Sequence, residues 1–155
     1  MDKKNLKKQI EIEIENLERL VKEIILVTDR FTDKPDFIET RAAGSIIHDF
    51  YCGVEKIFKR IAIYINHELP KGDDWHTELL LQMAHPTETT NTAVISQELL
   101  EKLKEYLRFH HLFRNIYGFE LSWERFKNLS LSAQAVLSEL KDNLNRFIDN
   151  LNKIV

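Results

Sequence analysis

The chain has 155 residues with a formal net charge of -3, and it contains only four glycines and three prolines. This length suits one domain with a continuous core and is short for two, so we expect a single domain over residues 1–155. So few chain-breaking residues favour long helices and exclude a turn-rich sheet. The interspersed charges exclude an overall attraction to anionic lipid or to nucleic acid, so we expect no DNA partner, and any RNA contact must come from a local patch.

The cysteine content and the length of the apolar runs exclude further classes of protein. Cys52 is the single cysteine, which excludes an internal disulfide and a cysteine-rich metal site. No apolar run approaches the roughly 20 residues that a membrane span needs, and the charged residues 1–8 do not resemble a secretory signal. We therefore expect a cytoplasmic protein without a membrane segment.

Two long helices are predicted in the first part of the chain. One seam of residues recurs at alternating steps of four and three and predicts a first helix from Lys3 to Arg30. The seam residues are Ile10, Ile14, Leu17, Val21, Ile24, Thr28 and Phe31. Pro35 then forces a break, because proline disfavours helical geometry in the residue before it. A second helix from near Asp36 to before Pro70 keeps the helical period and should be the central core helix.

The middle of the chain predicts a short helix followed by a loop. Asp73 or Asp74 can cap a third helix that begins at Trp75 and stops near Pro86. Residues 87–95 contain four threonines and show no periodicity, so we expect a loop there.

Two further helices complete the predicted fold. Ser96 is expected to cap a fourth helix that runs to about Tyr117, and Gly118 fits a helix-ending position. A short piece at residues 122–129 leads into a last helix. Its core positions are Ala133, Val136, Leu137, Leu140, Leu144, Phe147, Ile148 and Leu151. The fold class is therefore all-α, as an antiparallel bundle of four or five long helices plus one short helix.

The second helix carries a polar or small flank in an otherwise apolar sequence. The members of this flank are Arg41, Ser45, His48, Cys52, Glu55 and Lys59. We interpret the flank as the solvated face of an amphipathic helix. The alternative is that His48 and Arg41 form a hydrogen-bonded support shell for a later polar cluster. Since the six histidines show no pair at ligand spacing beside a carboxylate motif, we predict no metal and no other cofactor.

That later cluster lies on the fourth helix and concentrates the chemistry of the chain. Its members are Arg108, His110, His111, Arg114, Asn115 and Tyr117. Histidine moves protons near neutral pH, and arginine holds a phosphate without losing its charge. Metal-free RNA cleavage needs both, because a base must activate the 2′-hydroxyl, an acid must protonate the leaving oxygen and a cation must stabilise the developing charge.

Three blocks of sequence resemble one known family over most of the chain. They are IHDFYCGVEKIF at residues 47–58, LPKGDDWH at residues 69–76, and YLRFHHLFRNIYGFEL with Trp123, Glu124 and Arg125 at residues 106–125. The last block is the specific one. The blocks resemble the HEPN superfamily and, within it, the HepT-like ribonuclease toxins that are encoded beside a minimal nucleotidyltransferase antitoxin.

The resemblance implies where the functional residues lie. The family's motif is an arginine, four to six intervening residues, a histidine, and a tyrosine two residues beyond. Arg114 and Tyr117 match the residues that relatives carry. Position 110 is His where relatives tend to have Arg, and position 115 is Asn where the motif has His. His111 is then the expected catalytic histidine, and His110 is the second choice.

The resemblance also implies partners. Such proteins are expected to form a homodimer in which the two motif helices meet across a twofold axis, so that the site is composite. The antitoxin is expected to transfer adenylate groups to Tyr117, which would fill the RNA groove and silence it.

The leading hypothesis is a HepT-like, metal-independent RNase toxin that acts on RNA. His111 would serve as base or acid, while Asn115 orients the site. Phosphate would be bound by Arg108 and Arg114. A first alternative is a catalytically degenerate HEPN domain that acts as a binding or regulatory subunit for a nucleotidyltransferase. A second alternative is a helical dimerisation module whose charged cluster satisfies a buried interface.

Overall fold

Five α-helices and one 3₁₀ turn form the fold in the computed structural model, which describes residues 2–87 and 90–153. The helices are α1 (Lys3–Asp29), α2 (Phe37–Asn66), α3 (Trp75–Met83), α4 (Gln97–Asn115) and α5 (Trp123–Lys153). The 3₁₀ turn (Gly118–Glu120) connects α4 to α5. No strand occurs in these described ranges, which confirms the predicted all-α class with four long helices and one short helix.

Helix α2 is the centre of the bundle, as its continuous apolar period predicts. It packs against the other four helices and the 3₁₀ turn. Asp36 and Glu39 form a capping box at its start, in which each side chain accepts a hydrogen bond from the other residue's backbone N–H. Its buried large side chains are Ile47, Phe50, Tyr51, Val54, Ile57, Phe58 and Ile61. Each such aliphatic or phenylalanine side chain contributes about 1.5–3 kcal/mol relative to an exposed one.

Contacts with α5 fix the position of α4, which carries the polar cluster. Ser96 caps α4 as predicted, because its hydroxyl accepts a hydrogen bond from the Leu99 N–H at 3.1 Å. The backbone N–H of Ser96 donates to the buried amide oxygen of Asn143 in α5 at 2.7 Å. Near the middle of α4, the Tyr106 hydroxyl donates to the Leu129 carbonyl at 2.6 Å. These bonds fix the position of α4 along α5 and its rotation about its own axis. They therefore fix where the last turns of α4 lie.

The start of α5 differs from the prediction. The sequence predicts a separate short piece at residues 122–129, whereas these residues from Trp123 onward form the first turns of one 31-residue helix. The buried face of α5 already includes Phe126 and Ser130 before it reaches Ala133. The serine interrupts an apolar pattern that otherwise continues at helical spacing.

Two expected helix ends also differ in detail. Helix α4 ends at Asn115, and Gly118 opens the 3₁₀ turn instead of closing the helix. Asp74 lies at the N-cap of α3, as predicted, but its side chain makes no capping hydrogen bond. The segment between Asn115 and Trp123 is therefore a turn of its own that presents side chains beside the end of α4.

The predicted loop between α3 and α4 is non-helical at residues 87 and 90–95, and positions 88 and 89 of that prediction lie outside the described residues. The Met83 carbonyl accepts hydrogen bonds from the N–H groups of Val94 and Ile95, so the end of the loop is fixed to α3. Among residues 2–87 and 90–153, no helix is both long enough and apolar enough to cross a bilayer.

Candidate functional site

A surface groove lies between the turn that begins α3 and the last turns of α4. Its lining residues are Gly72, Asp73, Trp75, His76, His111, Arg114 and Asn115, and its volume is about 390 Å³. We call it the histidine groove. It brings together three residues that the sequence singles out on α4, and it adds His76 from α3. The side chains of a base, a cation and an amide thus share one solvent-accessible space.

Four imidazole rings meet behind and beside this groove. The rings of His48 and His110 are parallel, with centroids 4.6 Å apart. His76 lies 5.4 Å from His110 and 5.7 Å from His111, again between ring centroids. We call these four residues the histidine stack. His48 does lie next to the later cluster, as the support-shell alternative predicts, but it makes its contact with His110 by ring stacking.

His110 is the buried member of the histidine stack. Only 3% of its surface is exposed, and its Nε2 atom has no hydrogen-bond partner among the described residues. The pKa of His110 is lowered to about 4, chiefly by burial and to a smaller extent by the nearby charges of His48, His76, His111 and Arg114. His110 is therefore a neutral ring at neutral pH, and it faces the core more than the groove.

This buried ring makes the stability of the protein depend on pH. The folded-state pKa of His110 lies near 4, while an unfolded chain has the ordinary value of 6.5. Between these values the unfolded state binds the extra proton, so the free energy of unfolding should fall as the pH drops from about 6.5 to about 4. Urea unfolding of the wild type and of His110→Phe at several pH values measures the difference.

The His110→Phe variant should lose part of this pH dependence but not all of it. Burial also lowers the pKa of His48, so that ring contributes in the same direction. The phenyl ring keeps an aromatic surface against His48 and cannot bind a proton. Identical slopes in the two proteins would contradict the assignment of this effect to His110.

Glu55 and His76 form a buried pair that the solvated-flank interpretation misses. The exposed fractions of their side chains are 8% and 13%, and His76 Nδ1 lies 2.6 Å from Glu55 Oε2. Because an ionised carboxylate only accepts hydrogen bonds, we assign the proton to Nδ1, which donates to Glu55. Trp75 stacks on the His76 ring at 3.7 Å between centroids. The expectation that the whole flank of α2 faces solvent is therefore wrong at Glu55.

The remaining α4 residues divide between the groove and its surroundings. Arg114 lines the groove and makes no ion pair with any residue in the described ranges. The Asn115 amide donates to the His111 carbonyl of its own helix at 2.6 Å. Arg108 lies outside the groove lining, where it pairs with Glu105 at 2.8 Å on the exposed surface. The free guanidinium of Arg114 is thus the cation that faces the histidines of the groove.

Tyr117 and Arg41 lie at the turn that follows α4. Tyr117 is 71% exposed, and its ring stacks on that of Phe119 with centroids 5.2 Å apart. A Cβ atom at Gly118 would come within 2.8 Å of Arg41 Nε, so the turn rests directly on the Arg41 side chain. Arg41 therefore supports the turn that carries Tyr117 and does not line the groove.

One group of side chains could be considered for a metal ion. The ligand atoms of His48, Cys52 and His110 all lie within 4.8 Å of one another, although their spacing in the sequence gives no sign of it. Cys52 Sγ lies 3.7 Å from His110 Nδ1 and 3.9 Å from the His48 ring nitrogens. A metal binds imidazole in the ring plane, and two parallel stacked rings do not aim their lone pairs at one point. Burial also raises the pKa of the Cys52 thiol, so the present geometry suits thiol–imidazole packing.

Comparison with known proteins gives one match. No curated protein and no solved structure matches the chain. The family model for HepT-like proteins matches residues 42–151, which include most of α2, all of α3 and α4, and most of α5. The match therefore contains every residue of the histidine groove, and the chain belongs to the HepT-like protein family.

Proposed function

We propose that the protein is a metal-independent endoribonuclease of the HepT-like toxin type and that it cleaves RNA in the histidine groove. One observation supports this function most directly, which is the meeting of His111, Arg114 and His76 in a single open groove. Proton transfer and phosphate binding are the two requirements of RNA cleavage, and imidazole and guanidinium groups meet them without a metal ion.

The reaction is an internal transfer of the RNA phosphate. A base takes the proton of a ribose 2′-hydroxyl, the O2′–P bond forms, and the P–O5′ bond breaks. An acid gives a proton to the departing O5′ atom. The products carry a 2′,3′-cyclic phosphate and a 5′-hydroxyl, and no redox partner or co-reactant takes part.

We assign a role to each α4 residue from its position relative to the groove. His111 transfers a proton and Arg114 binds the reacting phosphate, because both line the groove. Asn115 orients the site, and its own amide is fixed by the hydrogen bond to the backbone carbonyl of His111. Arg108 binds phosphates along the approach to the groove, and the buried His110 packs behind His111.

The same proposal includes a homodimer with a composite site. Tyr117 and Phe119 are 71% and 72% exposed and form a stacked aromatic pair next to the end of α4. Aromatic side chains are enriched at protein interfaces relative to the rest of the surface. Two copies that meet through this turn bring their α4 ends together and double the basic surface.

Tyr117 is also accessible to a nucleotidyltransferase partner. In that reaction the Tyr117 oxygen forms a bond to the α-phosphorus of a nucleoside triphosphate, the hydroxyl proton is lost and pyrophosphate leaves. The added phosphate and nucleoside would bring negative charge and bulk close to Arg114. RNA would then be repelled from the groove.

A cleavage assay tests the proposed function. Purified protein, shown by sedimentation to be a dimer, is incubated with single-stranded RNA and with transfer RNA in the presence of a chelator. We expect cleavage that leaves 2′,3′-cyclic phosphate ends and that His111→Ala lowers by about 100-fold or more. The matched control is His85→Ala, since His85 is an exposed histidine outside the groove. Intact RNA at a generous excess of wild-type protein would overturn the proposal.

The binding-subunit alternative has two observations in its favour. The residue at the motif histidine position, Asn115, is an amide bonded to its own helix, and His110 is buried. If the protein binds a nucleotidyltransferase equally well after both His110 and His111 are changed, and cleaves no RNA, this alternative holds.

A further inference from the structure

RNA cleavage without a metal needs two groups that move protons, one for the 2′-hydroxyl and one for the leaving oxygen. His111 supplies one of them. His110 is poorly suited to be the other, because it is only 3% exposed and lies behind the groove. Asn115 cannot transfer a proton, since its side chain is an amide. The last turns of α4 therefore leave one role in the reaction without a residue.

His76 is the remaining imidazole in the groove, and its orientation is fixed from two sides. Glu55, buried on α2, accepts a hydrogen bond from His76 Nδ1 over 2.6 Å. Trp75 covers one face of the ring, with 3.7 Å between the centroids. Lys59 Nζ lies 4.6 Å from the centroid of the Trp75 ring and completes the layer.

The carboxylate that accepts a hydrogen bond from His76 Nδ1 determines the proton chemistry of the other ring nitrogen, Nε2. It holds the neutral ring in the tautomer whose Nε2 carries a free lone pair, and it stabilises the imidazolium that forms when Nε2 takes a proton. His76 lines the groove together with Arg114, and its ring centroid is 5.7 Å from that of His111. One scissile phosphate at Arg114 would therefore lie within reach of both rings.

We propose that His76 is the general base of this groove and that Glu55 is its positioning residue, an inference that rests on the proposed function. His76 Nε2 takes the proton of the 2′-hydroxyl as the O2′–P bond forms. His111, in its protonated form, gives its proton to O5′ as the P–O5′ bond breaks. One proton enters the protein and one leaves it, and exchange with water restores both rings.

Two substitutions test the two roles separately. His76→Gln keeps an N–H donor for Glu55 but cannot accept a proton near neutral pH, so kcat should fall about 100-fold or more while the melting temperature and KM stay near those of the wild type. Glu55→Gln keeps an acceptor but removes the charge, so kcat should fall less and KM should again be unchanged. His85→Gln is the matched control, because His85 is exposed and lies outside the groove.

Two readouts test whether the His76 ring acts as a base. Added imidazole should restore part of the activity of His76→Ala and none of the activity of Glu55→Gln. In nitrogen NMR spectra of the free protein, His76 should carry its proton on Nδ1 and leave Nε2 bare. Rescue by imidazole does not follow from a packing role for the ring, and a proton found on Nε2 would contradict its role as the base.

The assay separates the failure of this inference from the failure of the proposed function. If the wild type cleaves RNA and His76→Gln does so at the same rate, His76 is not the base and the proposed function stands. If the wild type leaves all RNA intact, the proposed function fails, and the role of His76 fails with it.

Mixed dimers test whether the second proton comes from a second copy of the chain. A dimer of one His76→Gln copy and one His111→Ala copy should be inactive, because both residues line the groove of a single chain. Recovery of activity in the mixed dimer would overturn the pairing of His76 and His111 within one chain.

Discussion

Replacing Arg114 by alanine should lower the kcat of RNA cleavage by about 100- to 1000-fold. Arg114 lines the histidine groove and has no ion-pair partner among the described residues, so its guanidinium is available to a phosphate. Its charge is always present and its donors match two phosphate oxygens at once. The developing negative charge of the transition state therefore loses its main counter-charge when Arg114 is removed. Single-turnover cleavage of a labelled RNA measures the loss.

Three further variants sharpen this result. Arg114→Lys keeps the charge but loses the paired donors, so it should recover only part of the rate. Arg108→Ala should have a smaller effect, because Arg108 lies outside the groove and is engaged by Glu105. Arg146→Ala, an exposed arginine on α5 away from the groove, should leave the rate unchanged. If Arg146→Ala and Arg114→Ala lower the rate equally, general surface charge and not a phosphate site explains the loss.

Replacing His76 by leucine should destabilise the protein by about 3–5 kcal/mol, because it leaves the Glu55 carboxylate buried without a partner. As a pair, the buried carboxylate and imidazole contribute little net stability, since the cost of removing both polar groups from water offsets their attraction. The loss of one partner is costly for the same reason. Urea unfolding at neutral pH measures the change in the free energy of unfolding.

The double variant Glu55→Leu/His76→Leu should regain most of the lost stability. With both polar groups gone, no charge is left buried, and two apolar side chains can pack between α2 and α3. His85→Leu serves as the control for a histidine that has no buried partner. A double variant that is less stable than His76→Leu would show that the pair itself, and not the uncompensated carboxylate, is the source of the stability.

Much of the fold follows from the sequence because its helices are long and regular. The four-and-three seam of α1 and the capping signals at Asp36 and Ser96 mark the helices well. The start of α5 is harder to predict, because Ser130 is a buried polar residue in the middle of its apolar face. A pattern based on apolar residues alone therefore begins that helix too late.

Only part of the candidate site could be predicted from the sequence. His111, Arg114 and Asn115 share one turn and a half of α4, so helical spacing is enough to group them. His76 lies 35 residues earlier, and the packing of α3 against α4, not any local pattern, brings it to His111. One signal does exist, which is the presence of Glu55 among the apolar residues of α2. A carboxylate that is buried among apolar residues needs a polar partner, and His76 is that partner.

The lining of the histidine groove carries side chains of opposite charge. Asp73 comes from the turn ahead of α3, and Arg114 comes from α4. A polynucleotide would be repelled by the Asp73 carboxylate and attracted by the Arg114 guanidinium. Its sugar–phosphate chain would therefore lie on the α4 side of the groove. Its bases would then face the turn that contains Gly72, where a Cβ atom would meet no other atom within 4 Å and the groove therefore has open space.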